Sequence, residues 1–294
     1  MNRRSLLLAG VMFPGATVLG CGGSWKHDIP DPNAPPIPGM ELLRIMTLDG
    51  AGVYRWGDGT RGLQAVPPIP PRIYSTEIPK NAPNGWPGYI EFADDPLGER
   101  GTVFMSSLDP PPVPLNNRSE IYSFSEPVKR GSPITRVYAY GVMIPPDDEF
   151  IATDHQFSIQ QLHDAPDPGD APRWPNMVLM AGAGEFTVML PLIDPPIQNP
   201  GHRVAGVYPL IRNKWHDIRV HVRFSVESDG WLQVYIDDNL VVDEKGHPTQ
   251  YDDLEGPNFK LGAYNIFKYN TGVNSKTGKM ARVYFSTCWH YAPV

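Results

Sequence analysis

The sequence predicts an all-β fold in which two antiparallel sheets pack face to face as a sandwich. Three observations predict it. With 34 Pro and 28 Gly spread over 294 residues, long helices have no uninterrupted stretch in which to form. Beyond the N-terminal segment, no apolar stripe of 3.6-residue period stands out. Short alternating apolar and polar runs recur instead, bounded by Pro, Gly, Asp and Asn. Strands with no helices between them leave antiparallel sheets, because parallel pairs need long crossover connections.

Residues 1–21 read as a targeting segment. Arg3 and Arg4 precede an apolar run at 6–13, which is too short to span a bilayer and has the character of a signal h-region. Leu19-Gly20-Cys21 resembles a bacterial lipobox, whose cysteine is lipidated and becomes the new N-terminus. Arg3-Arg4-Ser5-Leu6-Leu7 resembles a loose twin-arginine signal. An ordinary secretory signal with an incidental cysteine is the competing reading. Residues 22–40, rich in Pro and Gly, form a tether, and 41–294 form the body. The expected location is the bacterial cell envelope, periplasmic or on the outer or extracellular face, with the membrane reached only through a lipid on Cys21.

Within the body, candidate strands follow at 42–48, 89–92, 102–107, 118–124, 135–144, 156–163, 177–181, 186–191, 218–225, 231–236, 239–243, 259–264 and 282–289. The clearest alternation puts Ile218, Val220, Val222 and Phe224 on one face and Arg219, His221 and Arg223 on the other. Leu232, Val234 and Ile236 repeat it in the next strand, and Ser228-Asp229-Gly230 and Asp237-Asp238-Asn239 supply turns. The proline-rich stretches 66–88, 108–117 and 164–176 read as loops on the rims of a groove.

The net charge is −7. A field of that sign does not recruit polyanions, so nucleic acid is excluded as a partner, and any acidic ligand must be held by local cations. If Cys21 is lipidated, Cys288 is the one cysteine left. It has no disulfide partner and no basic neighbour in sequence, so it reads as a buried structural thiol. His216 and His221 fall on opposite strand faces, which argues against a shared ion. The acidic clusters at 147–149 and 252–255 are candidates for Ca²⁺, with solvated loops as the competing reading. No Gly-rich phosphate loop, serine elbow, zinc signature or paired-carboxylate glycosidase run occurs.

Three short polar motifs carry the chemistry. Gln161-Leu162-His163 places an amide donor and a titratable imidazole on one strand face. Arg118-Ser119-Glu120 gives a guanidinium fork suited to carboxylates, with Glu120 placed to hold it and Tyr122 next on the same face. In 259–264, Phe259, Leu261 and Ala263 face one way and Lys260, Gly262 and Tyr264 the other. Gly262 leaves room for a ligand between Lys260 and Tyr264. One conflict stands out: Phe157 and Ile159 share the parity of Gln161 and His163. Either a bulge lies near Gln160, or the two apolar residues line the floor of the groove.

In their order and spacing, these motifs resemble those of the jelly-roll polysaccharide lyases, the alginate, glucuronan and heparin lyase-like group. Arg118-Ser119-Glu120, Gln161-Leu162-His163 and Asn258-Phe259-Lys260-Leu261-Gly262-Ala263-Tyr264-Asn265 look like that group's R-[ST]-E, Q-[IV]-H and Y-F-K-A-G-x-Y-N strands. The stretch 215–242 is similar to a W…G-x-x-x-V-x-[IV]-D segment of its heparin and glucuronan lyase-like members. The resemblance covers roughly 85–290. Tyr122 stands where alginate lyases carry a second arginine, Asn258 replaces a tyrosine and Ile266 a glutamine; Lys260-Leu261-Gly262 sits on the heparin and glucuronan lyase side.

The resemblance implies a concanavalin A-like jelly roll with a concave substrate groove, and β-elimination at a 4-linked uronic acid of an acidic polysaccharide. Arg118 and Gln161 would bind the C5 carboxylate. His163 or Tyr264 would take the C5 proton, depending on the uronate epimer, and Tyr264 would protonate the departing O4. Lys260, Glu120 and Tyr122 would support substrate binding. No redox or organic cofactor is needed, a structural Ca²⁺ is compatible with it, and a monomer is expected. The competing functional reading is a non-catalytic carbohydrate-binding or adhesion module, for which His163 and Tyr264 could lie on opposite sides of the sandwich. A structural envelope lipoprotein would have no groove at all.

Overall fold

The computed structural model describes residues 39–48, 54–56, 72–73, 88–108, 118–122, 131–146, 156–165, 167–170, 173–182, 184–192, 201–264 and 281–294. Sixteen strands run through them in the order β1 (Met40–Leu48), β2 (Tyr54–Trp56), β3 (Arg72–Ile73), β4 (Gly88–Asp94), β5 (Thr102–Leu108), β6 (Arg118–Tyr122), β7 (Ile134–Met143), β8 (Phe157–Ala165), β9 (Met177–Gly182), β10 (Glu185–Pro191), β11 (His202–Pro209), β12 (Trp215–Phe224), β13 (Trp231–Ile236), β14 (Asn239–Lys245), β15 (Glu255–Tyr264) and β16 (Ala281–Pro293). There is no helix among the described residues.

The strands form two antiparallel sheets. One orders β14-β13-β12-β7-β16-β5-β4-β3, with β1 on β16 and β2 on β1. The other orders β11-β10-β9-β8-β15-β6. The expected all-β sandwich is therefore the observed fold. One apolar core lies between the sheets. It takes Tyr138, Tyr140, Ile218, Val220, Val222, Phe224 and Phe285 from the larger sheet, and Phe157, Leu162, Leu179, Phe186, Phe259 and Leu261 from the smaller. The alternation of β12 and β13 is realised as read: the burial of Trp215–Phe224 runs strictly in and out from Ile218 onward. The β13–β14 turn pairs Ile236 with Asn239 across Asp237 and Asp238, whose φ angles of 49° and 61° fit a two-residue type I′ hairpin.

Two contacts fix β15, the central motif strand of the smaller sheet. Tyr138 of β7 stacks on Phe259 with ring centroids 4.4 Å apart and planes 3° from parallel, an aromatic pair worth roughly 0.5–1.5 kcal/mol beyond its buried area. Ser106 Oγ of β5 accepts the Ala263 N–H at 2.8 Å. Each contact ties the smaller sheet to the larger.

Three strands go beyond the sequence expectation: β2, β3 and β11. β3 lies inside the 66–88 stretch read as loop, and with two residues it has no pattern to display. β11 is an edge strand whose exposed positions include Val204 and Val207, so apolar–polar alternation does not mark it.

Candidate functional site

β15 is flanked by β8 on one side and β6 on the other, and the register puts the three motifs side by side. Lys260 pairs with both Gln161 and Tyr122, Tyr264 pairs with Arg118 and Ser158, Gly262 pairs with Glu120, and Asn258 pairs with His163. Directly opposed residues of an antiparallel pair share a face. Phe259, Leu261 and Ala263 belong to the core. Arg118, Glu120, Tyr122, Gln161, His163, Lys260 and Tyr264 therefore all stand on the outer face of the six-stranded sheet. His163 and Tyr264 are on one side of the sandwich, not opposite sides. Between their register positions, Asn258 and Tyr264, lie five residues of β15, a span of six steps or about 20 Å of extended chain less the register shift, with Gln161 and Lys260 in between. The side chains of Arg118 and Tyr122 lie outside the described residues, as does Cys21.

The parity conflict resolves as a bulge. Against β9 the register shifts between Ser158 and Gln160, and against β15 it shifts between Leu261 and Tyr264. Ser158 thus pairs with outer-face Tyr264, Gln160 with core-face Leu261 and Gln161 with outer-face Lys260. Phe157 and Ile159 sit in the core, not on the groove floor. Without the shift, the residues that put Phe157 inside would put His163 inside too. On β15 the shifted stretch contains Gly262 at φ 143°, a conformation that costs glycine little and other residues much. The Ala263 amide in this stretch donates to Ser106 Oγ.

The outer face is recessed. Glu120 and Gln161 are each 1% exposed, and Lys260 is buried as well. Beside them Val178, Met180 and Met189 form an apolar cluster of their own, with Val178 paired to Gln161 and Met180 to Ser158. A polar side chain withdrawn this far from water needs a partner. Gln161 Nε2 donates to Glu120 Oε1 at 2.5 Å. The sequence pattern pairs Glu120 with Arg118; the structure adds Gln161 as a donor to it.

His163 is half-buried. Its Nδ1 lies 2.6 Å from the backbone carbonyl of Asp164. A carbonyl can only accept, so Nδ1 carries the proton and the lone pair of the neutral ring is on Nε2. Asn258 Nδ2 reaches the His163 carbonyl at 3.4 Å. The next side chain, Asp164, turns into the protein. Its Oδ2 accepts from Asn176 Nδ2 at 3.2 Å and the Tyr251 N–H at 3.1 Å. Burial, reinforced by the charge of Asp253 and opposed by the Tyr251 N–H and Arg173, pushes the Asp164 carboxyl up to about 8. Neither Asp164 nor Ser106 stands out in the sequence, because nothing in a strand pattern shows which buried hydroxyl or carboxyl meets a backbone amide from a distant segment.

The acidic cluster at 252–255 fits Ca²⁺ poorly: Asp253 faces Arg173 Nη1 at 2.8 Å, and the cluster at 147–149 lies outside the described residues. Among those described, no group of three or more His, Cys, Asp or Glu is arranged to hold a metal ion. His216 is fully buried against Asp237, 2.8 Å from Nδ1. His221 sits on the opposite face, so the two do not converge. Cys288 is a buried free thiol, pushed by burial well above the ordinary range.

The solved structure of endo-β-1,4-glucuronan lyase from the fungus Trichoderma reesei matches with a TM-score of 0.57 at 15% identity, over 72% of this chain and 92% of that one; at this identity the likeness is one of fold. Alginate lyase A1-II′, a member of polysaccharide lyase family 7, gives 0.46 at 16% identity over 69% and 84%. An alginate lyase from Pseudomonas aeruginosa gives 0.46 at 14% over 68% and 85%. No curated protein sequence matches the chain. The family model described as polysaccharide lyase matches residues 87–288, well over half of the chain and all three motif strands, and the chain accordingly belongs to the polysaccharide lyase family.

Proposed function

We propose that this lyase cleaves a polysaccharide containing 4-linked uronic acid by β-elimination on the outer face of its six-stranded sheet. The observation that carries the reading is the register across β8, β15 and β6, which sets Gln161, Lys260 and Tyr122 in one row and Tyr264 beside Arg118 in another. Carboxylate binders and proton-transfer groups thereby share one recessed face, as the chemistry requires.

Arg118 and Gln161 hold the C5 carboxylate, and Lys260 adds positive charge to the row. Charge drawn from the carboxylate onto these donors makes the C5–H acidic enough to remove. A base takes that proton, the C–H electron pair becomes the C4–C5 double bond, the C4–O4 bond breaks, and O4 leaves with a proton supplied by the enzyme. The Nε2 lone pair of His163 suits it to act as the base for one C5 epimer, and the Tyr264 hydroxyl for the other. Tyr264 is also the donor to O4. No step passes electrons to an outside acceptor, so the reaction calls for no redox cofactor. Glu120 and Tyr122 support binding. A lipid on Cys21 holds the body at the bacterial envelope, where the polymer is met as a monomeric enzyme's substrate.

The Lys260-Leu261-Gly262 sequence favours glucuronan- or heparin-like chains over alginate. Incubation with glucuronan, alginate, hyaluronan and heparin, followed by ultraviolet absorbance of the 4,5-unsaturated ends, tests the proposal. A rise on at least one uronic polymer is expected; no rise on any of them sinks it.

A further inference from the structure

We propose that Glu120 is a positioning residue that fixes the sense of the Gln161 amide and so acts on the substrate through Gln161. The inference rests on the uronate-binding role proposed for Gln161. A primary amide has two ends of nearly equal size, one accepting and one donating. Only the NH₂ end can neutralise a carboxylate. An amide free to turn would present its oxygen to the uronate part of the time, and oxygen against carboxylate is repulsive.

The structure removes that freedom. Glu120 offers carboxylate oxygens, and an ionised carboxylate only accepts. It takes one Nε2–H at 2.5 Å, with both residues 1% exposed. The turned amide would set Gln161 Oε1 against Glu120 Oε1 in a site closed to water. With the first N–H held, the second N–H of the same nitrogen has one direction left to it, and a carboxylate on the outer face can receive it.

The contact is built by the fold, since the two side chains meet over a third strand. β8 and β6 are both neighbours of β15 and lie two strand spacings apart, about 9.6 Å. Glu120 pairs with Gly262, the position of β15 that presents no side chain. The register shift between Leu261 and Tyr264 places that glycine beside the row of Gln161. Gly262 thus clears the path along which Gln161 and Glu120 reach each other, a second use for a residue first read as room for ligand.

The test is a double-mutant cycle with Glu120→Gln and Gln161→Ala, read on an active uronic polymer and paired with spectra of the side-chain amides. Glu120→Gln keeps the size of the side chain but can donate as well as accept, so it no longer dictates the amide's sense. The expected result is a roughly 10- to 100-fold fall in kcat/KM, with partial recovery in Glu120→Asp, and no further fall when Glu120→Gln is added to Gln161→Ala. In ¹⁵N-labelled protein, the Gln161 side-chain amide, assigned by its loss in Gln161→Ala, should show one strongly downfield proton that moves upfield in Glu120→Gln. Multiplicative losses in the cycle, or an unshifted amide, overturn the inference while leaving Gln161 as a uronate binder. Full activity in Gln161→Ala overturns the role of Gln161 itself, and the inference with it.

Discussion

At the scale of single residues, the proposed chemistry turns on two side chains that differ in what they lose on substitution. His163 is oriented by the Asp164 carbonyl, so His163→Ala removes a lone pair held in place. Tyr264→Phe removes a hydroxyl and little volume. Each substitution should lower kcat by about 10²–10⁴-fold while thermal unfolding stays cooperative, and near-full turnover in either variant rules that residue out as a proton-transfer group. That Gln161 and His163, and likewise Lys260 and Tyr264, share a face within their own motifs was legible from alternation, because a strand face is written in every second residue; their proposed roles came from the resemblance. The bulge at Ser158–Gln160 was legible as a conflict of parity. The Gln161–Glu120 bond was not, since its partners stand on strands that are not neighbours. Asp164 was equally hidden, and it gives a pH signature. Its carboxyl titrates at about 8 in the folded protein through burial and the facing charge of Asp253, against Tyr251 N–H and Arg173, and near 3.9 when unfolded. Between those values the folded state holds a proton that the unfolded state has released. This one group therefore makes stability fall as pH rises through that window, by up to about 1.4 kcal/mol per pH unit, and its contribution levels off above 8. Asp164→Asn keeps an acceptor for Asn176 and Tyr251. Denaturant midpoints measured from pH 4 to 9 should fall less steeply in that variant, and parallel profiles would show that Asp164 is already ionised.

The strands locate these residues through their mutual register, and two contacts between elements test how. The Ala263 N–H sits in the shifted stretch of β15 and donates to Ser106 of the facing sheet. Ser106→Ala leaves that amide unpaired in a site closed to water, which costs about 1–3 kcal/mol. It also frees the segment from Gly262 to Tyr264, so turnover should drop along with the melting temperature; a variant with wild-type turnover would show that Tyr264 is held by other contacts. At the far edge of the same sheet, β11 lies against β14 of the other. A Cβ on Gly206 would meet the Val241 carbonyl oxygen at 2.5 Å and Val241 Cγ1 at 2.8 Å. Gly206→Ala must push the two edge strands apart, at about 1–3 kcal/mol, and a lower melting temperature with unchanged turnover is expected, because β11 lies three strands from β8. β11 escaped sequence reading for the reason that makes it useful as a closing edge. It covers an end of the sandwich instead of one face, so no period of two marks it.

For the molecule as a whole, charge and attachment set how an acidic polymer is met. The chain carries −7, and residues 1–21 contain Arg3 and Arg4 and no acid, so their removal leaves −7 − 2 = −9. A body of that charge repels a uronic polymer at long range. Productive contact then depends on the local cations of the recessed face and on time spent near the polymer. On the proposed attachment, a lipid at Cys21 and a tether over 22–40 would supply the second by confining the enzyme to a surface that the polymer passes, at no cost to the site. No helix of the described residues is long and apolar enough to cross a membrane. Cys21→Ser in the full-length protein should move it from the detergent-extracted membrane fraction to the soluble fraction. Turnover of dissolved polymer should not change, because the strands that build the site begin well after the tether. A protein that stays with the membrane after Cys21→Ser would show that some other segment holds it there.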